Sequence, residues 1–173
     1  MKIVDEDAEG VTVRGAKMLG TSSIMAIEVF VAHLQPLRLD EVDYAISFAI
    51  PMATKGLKVL SRKSYEVHAV SEFENPLVYR YDENDAVTYF DDVKVPWERI
   101  FVHRDPDMCR RKFHDTPGHI YQNYQAQIRL TVKLKFLVGL ARAVCETIGT
   151  VSMPAVAVSL GKMAAQAAVE NIM

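Results

Sequence analysis

Cysteine is scarce in this chain: there are two in 173 residues, Cys109 and Cys145, far apart and without CxxC spacing. That excludes the disulfide framework of a small secreted domain and makes a reducing cytoplasm the expected compartment. An excess of one charge is lacking as well. Lys and Arg number 20 against 22 Asp and Glu, a net charge of -2, so the positive field that draws nucleic acid or an anionic membrane is missing and neither partner is expected. No apolar run approaches the ~18 to 20 residues of a membrane span. The opening Met1-Lys2-Ile3-Val4-Asp5-Glu6-Asp7 lacks the basic-then-apolar order of a signal peptide. Internal repeats and low-complexity tracts are also missing, and His68, His103 and His114 have no partner at ligand spacing, so no metal is assigned.

What is present has the balance of a globular protein, with 50% apolar and 24% charged residues. Over the first hundred or so residues, apolar and polar positions alternate in short runs broken by Gly, Pro and Asn-Asp clusters, the period-two pattern of strands. Strands are expected to begin at Val11-Thr12-Val13-Arg14-Gly15, then at Ile27 to Leu34, Tyr44 to Met52, Leu57 to Val67 and, as the last, Ala86 to Val95, with Pro96 stopping the ladder because it has no amide donor. After Trp97 the period changes. Tyr121, Tyr124, Ile128, Val132, Leu134, Leu137, Val138, Ala141, Val144 and Ile148 follow offsets of three and four, which predicts one long helix after Gly118, capped by Gly149 in a left-handed conformation. A second helix is expected to start near Ser152, with Pro154 in its first turn. It runs to the chain end without a stop signal. Together with a beginning only a few residues before a strand, that end reads as a piece of a longer protein, with a β domain over 1–101 and the start of a helical domain over 102–173.

Three segments carry a resemblance: Arg14-Gly15-Ala16-Lys17-Met18-Leu19-Gly20-Thr21-Ser22, Phe90-Asp91-Asp92-Val93-Lys94-Val95-Pro96-Trp97-Glu98-Arg99-Ile100-Phe101, and His119-Ile120-Tyr121-Gln122-Asn123-Tyr124-Gln125-Ala126-Gln127. In order and spacing they are similar to the 4-hydroxyphenylacetate 3-monooxygenase oxygenase family, and the third resembles the branch acting on chlorophenols and nitrophenols. The resemblance implies an α+β, acyl-CoA-dehydrogenase-like fold, in which a barrel-like β middle domain precedes the first helices of a C-terminal bundle that assembles homotetramers. It further implies a flavoprotein that takes reduced FAD from a separate reductase, reacts it with O2 to a C4a-hydroperoxide, and transfers one oxygen to a phenolic substrate. The cofactor carries the oxygen chemistry, and the protein supplies position and a dry pocket.

On that resemblance, Thr21, in a Gly-containing turn, sits against the flavin ring with Ser22 beside it, and His33 and Leu34 line the aromatic substrate pocket. The bland alternatives are a turn hydroxyl bonded to local backbone and a solvent-facing strand histidine. His119 follows the turn-forming Asp115-Thr116-Pro117-Gly118, so it stands at a helix entrance, where the positive helix end disfavours a second positive charge. A neutral imidazole there could take a phenol proton, and the phenolate ring is the electron-rich one; the competing reading is a histidine that only packs or caps. Gln125, Arg129 and Lys133 share one helix face and are read as a solvated stripe, and Arg110-Arg111-Lys112 as an exposed basic turn. Asp91 and Asp92, neighbours on a strand, are expected to point to opposite faces and serve structure.

The rival within the same fold is a 4-hydroxybutyryl-CoA dehydratase, whose [4Fe-4S] cluster needs thiolates. Ala126 stands where that relative has a cysteine, and neither Cys109 nor Cys145 replaces it. An acyl-CoA dehydrogenase would place its glutamate late in the helical domain, and the Pro-Trp-Glu-Arg wording speaks against it. A further alternative is a truncated chain without activity of its own.

Overall fold

A computed structural model of the protein describes residues 1–18, 20–33, 35–81 and 84–170. It divides into two compact units, Met1–Phe113 and the residues from His114 onward. The first unit is built from seven strands: β1 (Lys2–Glu6), β2 (Gly10–Lys17), β3 (Glu28–Val31), β4 (Ile46–Pro51), β5 (Leu57–Ser61), β6 (Ala86–Pro96) and β7 (Ile100–His103). They form a four-stranded sheet in the order β1-β2-β6-β5 and a three-stranded sheet in the order β3-β4-β7, with every pairing antiparallel.

Alternation along each strand sends one set of side chains into a shared core. Ile3, Val11, Val13, Phe90, Val93 and Val95 of the larger sheet cluster with Val31, Ile46, Phe48 and Ile50 of the smaller one. Phe48 and Phe90 meet edge to face at 5.8 Å, the geometry the ring quadrupoles favour. The one hydroxyl enclosed at this level of the smaller sheet, Ser47 Oγ, donates to Val31 O at 3.0 Å and so is not left unpaired.

The five expected strands are present, β3, β4 and β5 shorter than expected and β2 and β6 longer, and β1 precedes the strand expected to be first. The run from Leu57 leaves the sheet after Ser61 because Ser64 caps a 3-10 turn over Tyr65–His68, its hydroxyl accepting from the Glu66 amide at 3.1 Å. The ladder of β6 does end at Pro96, but β6 is not the last strand. Trp97–Arg99 makes a single 3-10 turn and the chain re-enters the other sheet as β7. Trp97 Nε1 donates to Asp7 O at 3.0 Å and Arg99 Nη1 pairs with Glu28 Oε1 at 2.7 Å, so the Pro-Trp-Glu-Arg run fastens the strand crossover to both sheets.

Asp91 and Asp92 do not alternate as expected. Val13 pairs with Val93 and Gly15 with Phe90, so Arg14 alone stands opposite two residues, which is a β-bulge. Both carboxylates are consequently exposed, and the buried phase passes from Phe90 to Val93 instead of Phe90 to Asp92. Arg14 grips Asp92 through Nε and Nη2 at 2.6 and 2.7 Å, while Lys58 Nζ holds Asp91 at 2.8 Å. Gly56 closes against the same bulge with φ +88°; a Cβ there would lie 2.5 Å from Asp91 O.

Helices α1 (Pro76–Arg80) and α2 (Pro106–His114) were not read from the sequence. Arg110-Arg111-Lys112, expected as a turn, lies within α2. Pro106 starts that helix, the Asp105 side chain accepts from the Met108 amide at 2.8 Å, and Cys109 is buried with Ala45 and Val102. In the second unit, α3 (Gly118–Thr147) and α4 (Pro154–Glu170) run antiparallel, Thr131 Oγ1 donating to Glu170 O. Gly149, at φ +74°, ends α3 as expected, and the Thr150 amide bonds back to Cys145 O. Beyond His119, the half-buried residues of α3 are Thr131, Leu134, Val138, Ala141 and Cys145, which recur at three and four and match Val156, Leu160, Met163 and Ala167 on α4. Tyr121, Tyr124, Ile128, Val132, Leu137, Val144 and Ile148 remain exposed. The long apolar stripe in the sequence is thus two faces of one helix, and only one of them is covered in this unit.

Candidate functional site

The loop after β2 is built by pairing that outlasts the ladder. Beyond Lys17, paired with Thr88, the Gly20 amide donates to Ala86 O at 2.8 Å and the Ser22 amide to Asn84 O at 2.9 Å. Ser22 turns the chain with φ 60°, and Ser23–Met25 follows as a 3-10 turn. Thr21 and Ser22 are exposed on this turn. Thr21 Oγ1 does not bond local backbone; it donates to Asp85 Oδ1 at 2.5 Å across the loop. Two buried polar atoms lie in the same loop region, the Ser23 hydroxyl and the Asn84 amide oxygen, and neither has a hydrogen-bond partner among the described residues.

His33 lies two residues beyond β3 and is half-buried. Its Nε2 is 3.4 Å from Lys17 Nζ. Burial first, then the charges of Lys17 and Lys112, push its pKa from 6.5 down to about 4, against a hydrogen bond to the Tyr44 backbone. His33 is therefore neutral near pH 7, with Nε2 facing an ammonium that can donate to it. Lys17 is itself lowered, by burial and then by Lys112. Burial also lowers Lys112, so the sequence expectation of a wholly exposed basic turn fails at this residue, although Arg110 and Arg111 are exposed. Burial raises the Cys109 thiol, which keeps it in the poorly nucleophilic protonated form. Leu34, expected beside His33, lies outside the described residues.

His119 belongs to the helical unit. It is the second residue of α3, and its Nδ1 lies 3.0 Å from Thr116 O. In the neutral ring that contact makes Nδ1 the N–H donor and leaves the Nε2 lone pair as acceptor. The rings of His114 and His119 approach to 5.7 Å. Gln125, Arg129 and Lys133 are all exposed on α3. Among the described residues, no group of three or more His, Cys, Asp or Glu is disposed to hold a metal, and no helix is long and apolar enough to cross a membrane.

Sequence reasoning missed Lys17 and Asp85. Lys17 continued an alternating strand on its inward phase, which was a usable signal for a half-buried cation. Asp85 belonged to an Asn-Asp cluster read only as a strand break.

Two family models match the chain in succession: 4-hydroxyphenylacetate 3-hydroxylase N terminal over residues 1–102 and its C terminal counterpart over 109–171. The pyoverdin chromophore biosynthetic protein of Pseudomonas aeruginosa is 36% identical over 92% of this chain and 33% of its own length. For the 4-hydroxyphenylacetate 3-monooxygenase oxygenase component of Escherichia coli the values are 35%, 95% and 32%, and for the 4-nitrophenol 2-monooxygenase oxygenase component of a Rhodococcus species 36%, 93% and 31%. The chain spans about a third of the length of these curated relatives, and their near-equal identities single out no branch. A crystal structure of the oxygenase component of 4-hydroxyphenylacetate 3-monooxygenase, complexed with FAD and 4-hydroxyphenylacetate, is similar with TM-score 0.87 at 29% identity, over 99% of this chain and 36% of that one. A 4-hydroxybutyryl-CoA dehydratase from N. maritimus, at TM-score 0.78 and 22% identity, shares the fold alone, as does a probable acyl-CoA dehydrogenase from Mycobacterium abscessus at 0.54 and 18%. These neighbours bear out the α+β, acyl-CoA-dehydrogenase-like fold expected from the sequence. With models of both halves of the family matched in order along it, the chain belongs to the 4-hydroxyphenylacetate 3-hydroxylase family.

Proposed function

We propose that the protein carrying this chain is the oxygenase component of a two-component, reduced-FAD-dependent monooxygenase that hydroxylates a phenolic substrate with O2. A separate reductase supplies the flavin, and the oxygenase works in the cytoplasm as a homo-oligomer, a tetramer on the family pattern. The observation that carries this reading is the turn at Thr21 and Ser22, which holds two exposed hydroxyls beside the buried Ser23 hydroxyl and Asn84 Oδ1, neither of which has a hydrogen-bond partner among the described residues. A ring edge that mixes donors and acceptors fits such a surface. Bound there, reduced FAD would activate O2 and deliver one oxygen atom to the phenol.

The chain's own residues take three tasks. Thr21 and Ser22 hold the edge of the flavin ring. His33, neutral because it is half-buried beside Lys17, lines the aromatic pocket without setting a charge against an apolar ring. His119 accepts the phenol proton at Nε2, since Nδ1 is engaged with Thr116 O. Deprotonation makes the ring more electron-rich, and the hydrogen bond to Thr116 aims the imidazole. In domain terms, the middle domain, expected over 1–101, is taken to include all of β7 and to end with the β unit at Phe113, after which the helical domain opens.

The test is to supply the full-length protein with chemically reduced FAD, a phenol and O2, and to look for the catechol product. No product across a panel of para-substituted phenols overturns the reading. Product formed with oxidised FAD and no reductant would show a different chemistry.

A further inference from the structure

We propose that Asp85 is a positioning residue that turns the Thr21 hydroxyl into an obligate acceptor and thereby makes this loop select reduced over oxidised flavin. The inference rests on the reading of Thr21 as a flavin contact. A threonine hydroxyl has one proton to give and two lone pairs to receive. Here the proton is committed to Asp85 Oδ1 at 2.5 Å, a short bond to a carboxylate of the strong, charge-assisted kind. Backbone bonds on either side, Gly20 to Ala86 and Ser22 to Asn84, tie together the two chain segments that carry the pair. What Thr21 offers outward is therefore lone pairs alone. The N5 position of a flavin is a bare acceptor in the oxidised ring and carries a hydrogen in the reduced ring. An acceptor-only hydroxyl meets the first with lone pair against lone pair and the second with a hydrogen bond. Asn84 Oδ1, buried beside the same loop, is an acceptor without a partner among the described residues, whereas the Ser23 hydroxyl, likewise without a partner among them, can give or receive a proton.

The experiment measures binding, not turnover. Oxidised and anaerobically reduced FAD are titrated separately into the full-length protein that carries this chain, followed by two-dimensional NMR so that even millimolar affinity is read, for wild type, Asp85→Asn, Thr21→Val and the double variant. The wild type is expected to prefer reduced FAD. An asparagine amide can donate to Thr21 and free the hydroxyl proton, so Asp85→Asn should lower that preference about tenfold, the scale of one hydrogen bond. For a two-electron couple this is a downward move of about 30 mV in the bound potential. Loss of a negative charge alone would favour the electron-rich reduced ring and move the potential upward, so the sign separates the two effects. On a Thr21→Val background the Asp85 substitution should produce no further drop. Asp85→Ser repeats the measurement if the asparagine variant does not fold. An upward or absent shift, with Thr21→Val still weakening flavin binding, overturns the role of Asp85 and leaves Thr21 at the flavin. Unchanged binding of both flavin states by Thr21→Val, or no binding by wild type, overturns the flavin reading itself.

Discussion

Lowering the pH should destabilise the β unit through His33, and replacing Lys17 should relieve part of that effect. The folded ring titrates at about 4 and an unperturbed histidine at 6.5. Between those values the unfolded chain binds a proton that the folded chain refuses, so the stabilisation is complete above 6.5 and is lost as pH falls from there to about 4. Taken at face value the interval corresponds to about 3 kcal/mol. The ring is only half-buried and the charges of Lys17 and Lys112 act partly through solvent, which reduces the expectation to on the order of 1 kcal/mol.

Burial is the larger cause and Lys17 the second, so Lys17→Met should raise the His33 pKa partway and leave it below 6.5. The backbone pairing of Lys17 with Thr88 does not depend on the side chain and should survive. Side-chain NMR titration reads the pKa directly, and urea denaturation at pH 7 and pH 5 reads the linked stability. In the variant, the stability difference between the two pH values should shrink. A wild-type His33 that titrates near 6.5 would refute the reasoning at its root, and an unmoved pKa in Lys17→Met would refute the part assigned to Lys17.

Three further outcomes are expected. Phe48→Ala removes the partner of Phe90 from the centre of the β core and should cost about 3–5 kcal/mol by urea denaturation, against a negligible change for the exposed Phe73→Ala. Gly56→Ala must hold φ +88° with a Cβ 2.5 Å from Asp91 O, so it should lose about 1–3 kcal/mol, whereas the exposed Gly161→Ala, with nothing near its Cβ, should gain helix stability. In the full-length oxygenase, His119→Ala should slow product formation by about 100-fold to 10,000-fold and flatten its pH dependence; full activity with an unchanged pH profile would return His119 to a residue that only caps α3.

The β architecture was legible because alternation in β2 and in most of β6 reports which side of the strand is buried, and because β4 reads as a strand buried on both faces. Where local geometry overrode alternation, legibility stopped. The phase of β6 slips at Asp91 and Asp92 because Arg14 faces two residues, and nothing in the order Phe-Asp-Asp-Val announces that slip. β7 spans only Ile100–His103 and follows a single 3-10 turn, too short for a periodic signal. α2 was hidden by the charges of Arg110, Arg111 and Lys112, which read as a turn until Cys109 is seen packed on Ala45 and Val102. α3 was legible as a helix, yet its apolar positions merged a face covered by α4 with a face that α4 leaves exposed, since a one-dimensional pattern does not say how many sides of a helix will be buried.

The candidate site was legible in its motif residues and illegible in what governs them. Thr21 and Asp85 are 64 positions apart, and they meet because β2 and β6 are antiparallel neighbours whose pairing continues past Lys17 and Thr88 into the loop. His33 and Lys17 meet for a related reason, one leaving β3 and the other ending β2, strands that belong to different sheets over one core. In both cases the residue named from the sequence has a chemical character set by a partner the sequence does not mark: a hydroxyl made an acceptor by a carboxylate, and an imidazole kept neutral by burial and an ammonium. The partner, more than the motif residue, fixes the proton's position, and proton position decides what each group can offer a ligand. Substitution at Asp85 or Lys17 should therefore change the character of the site while every motif residue stays in place.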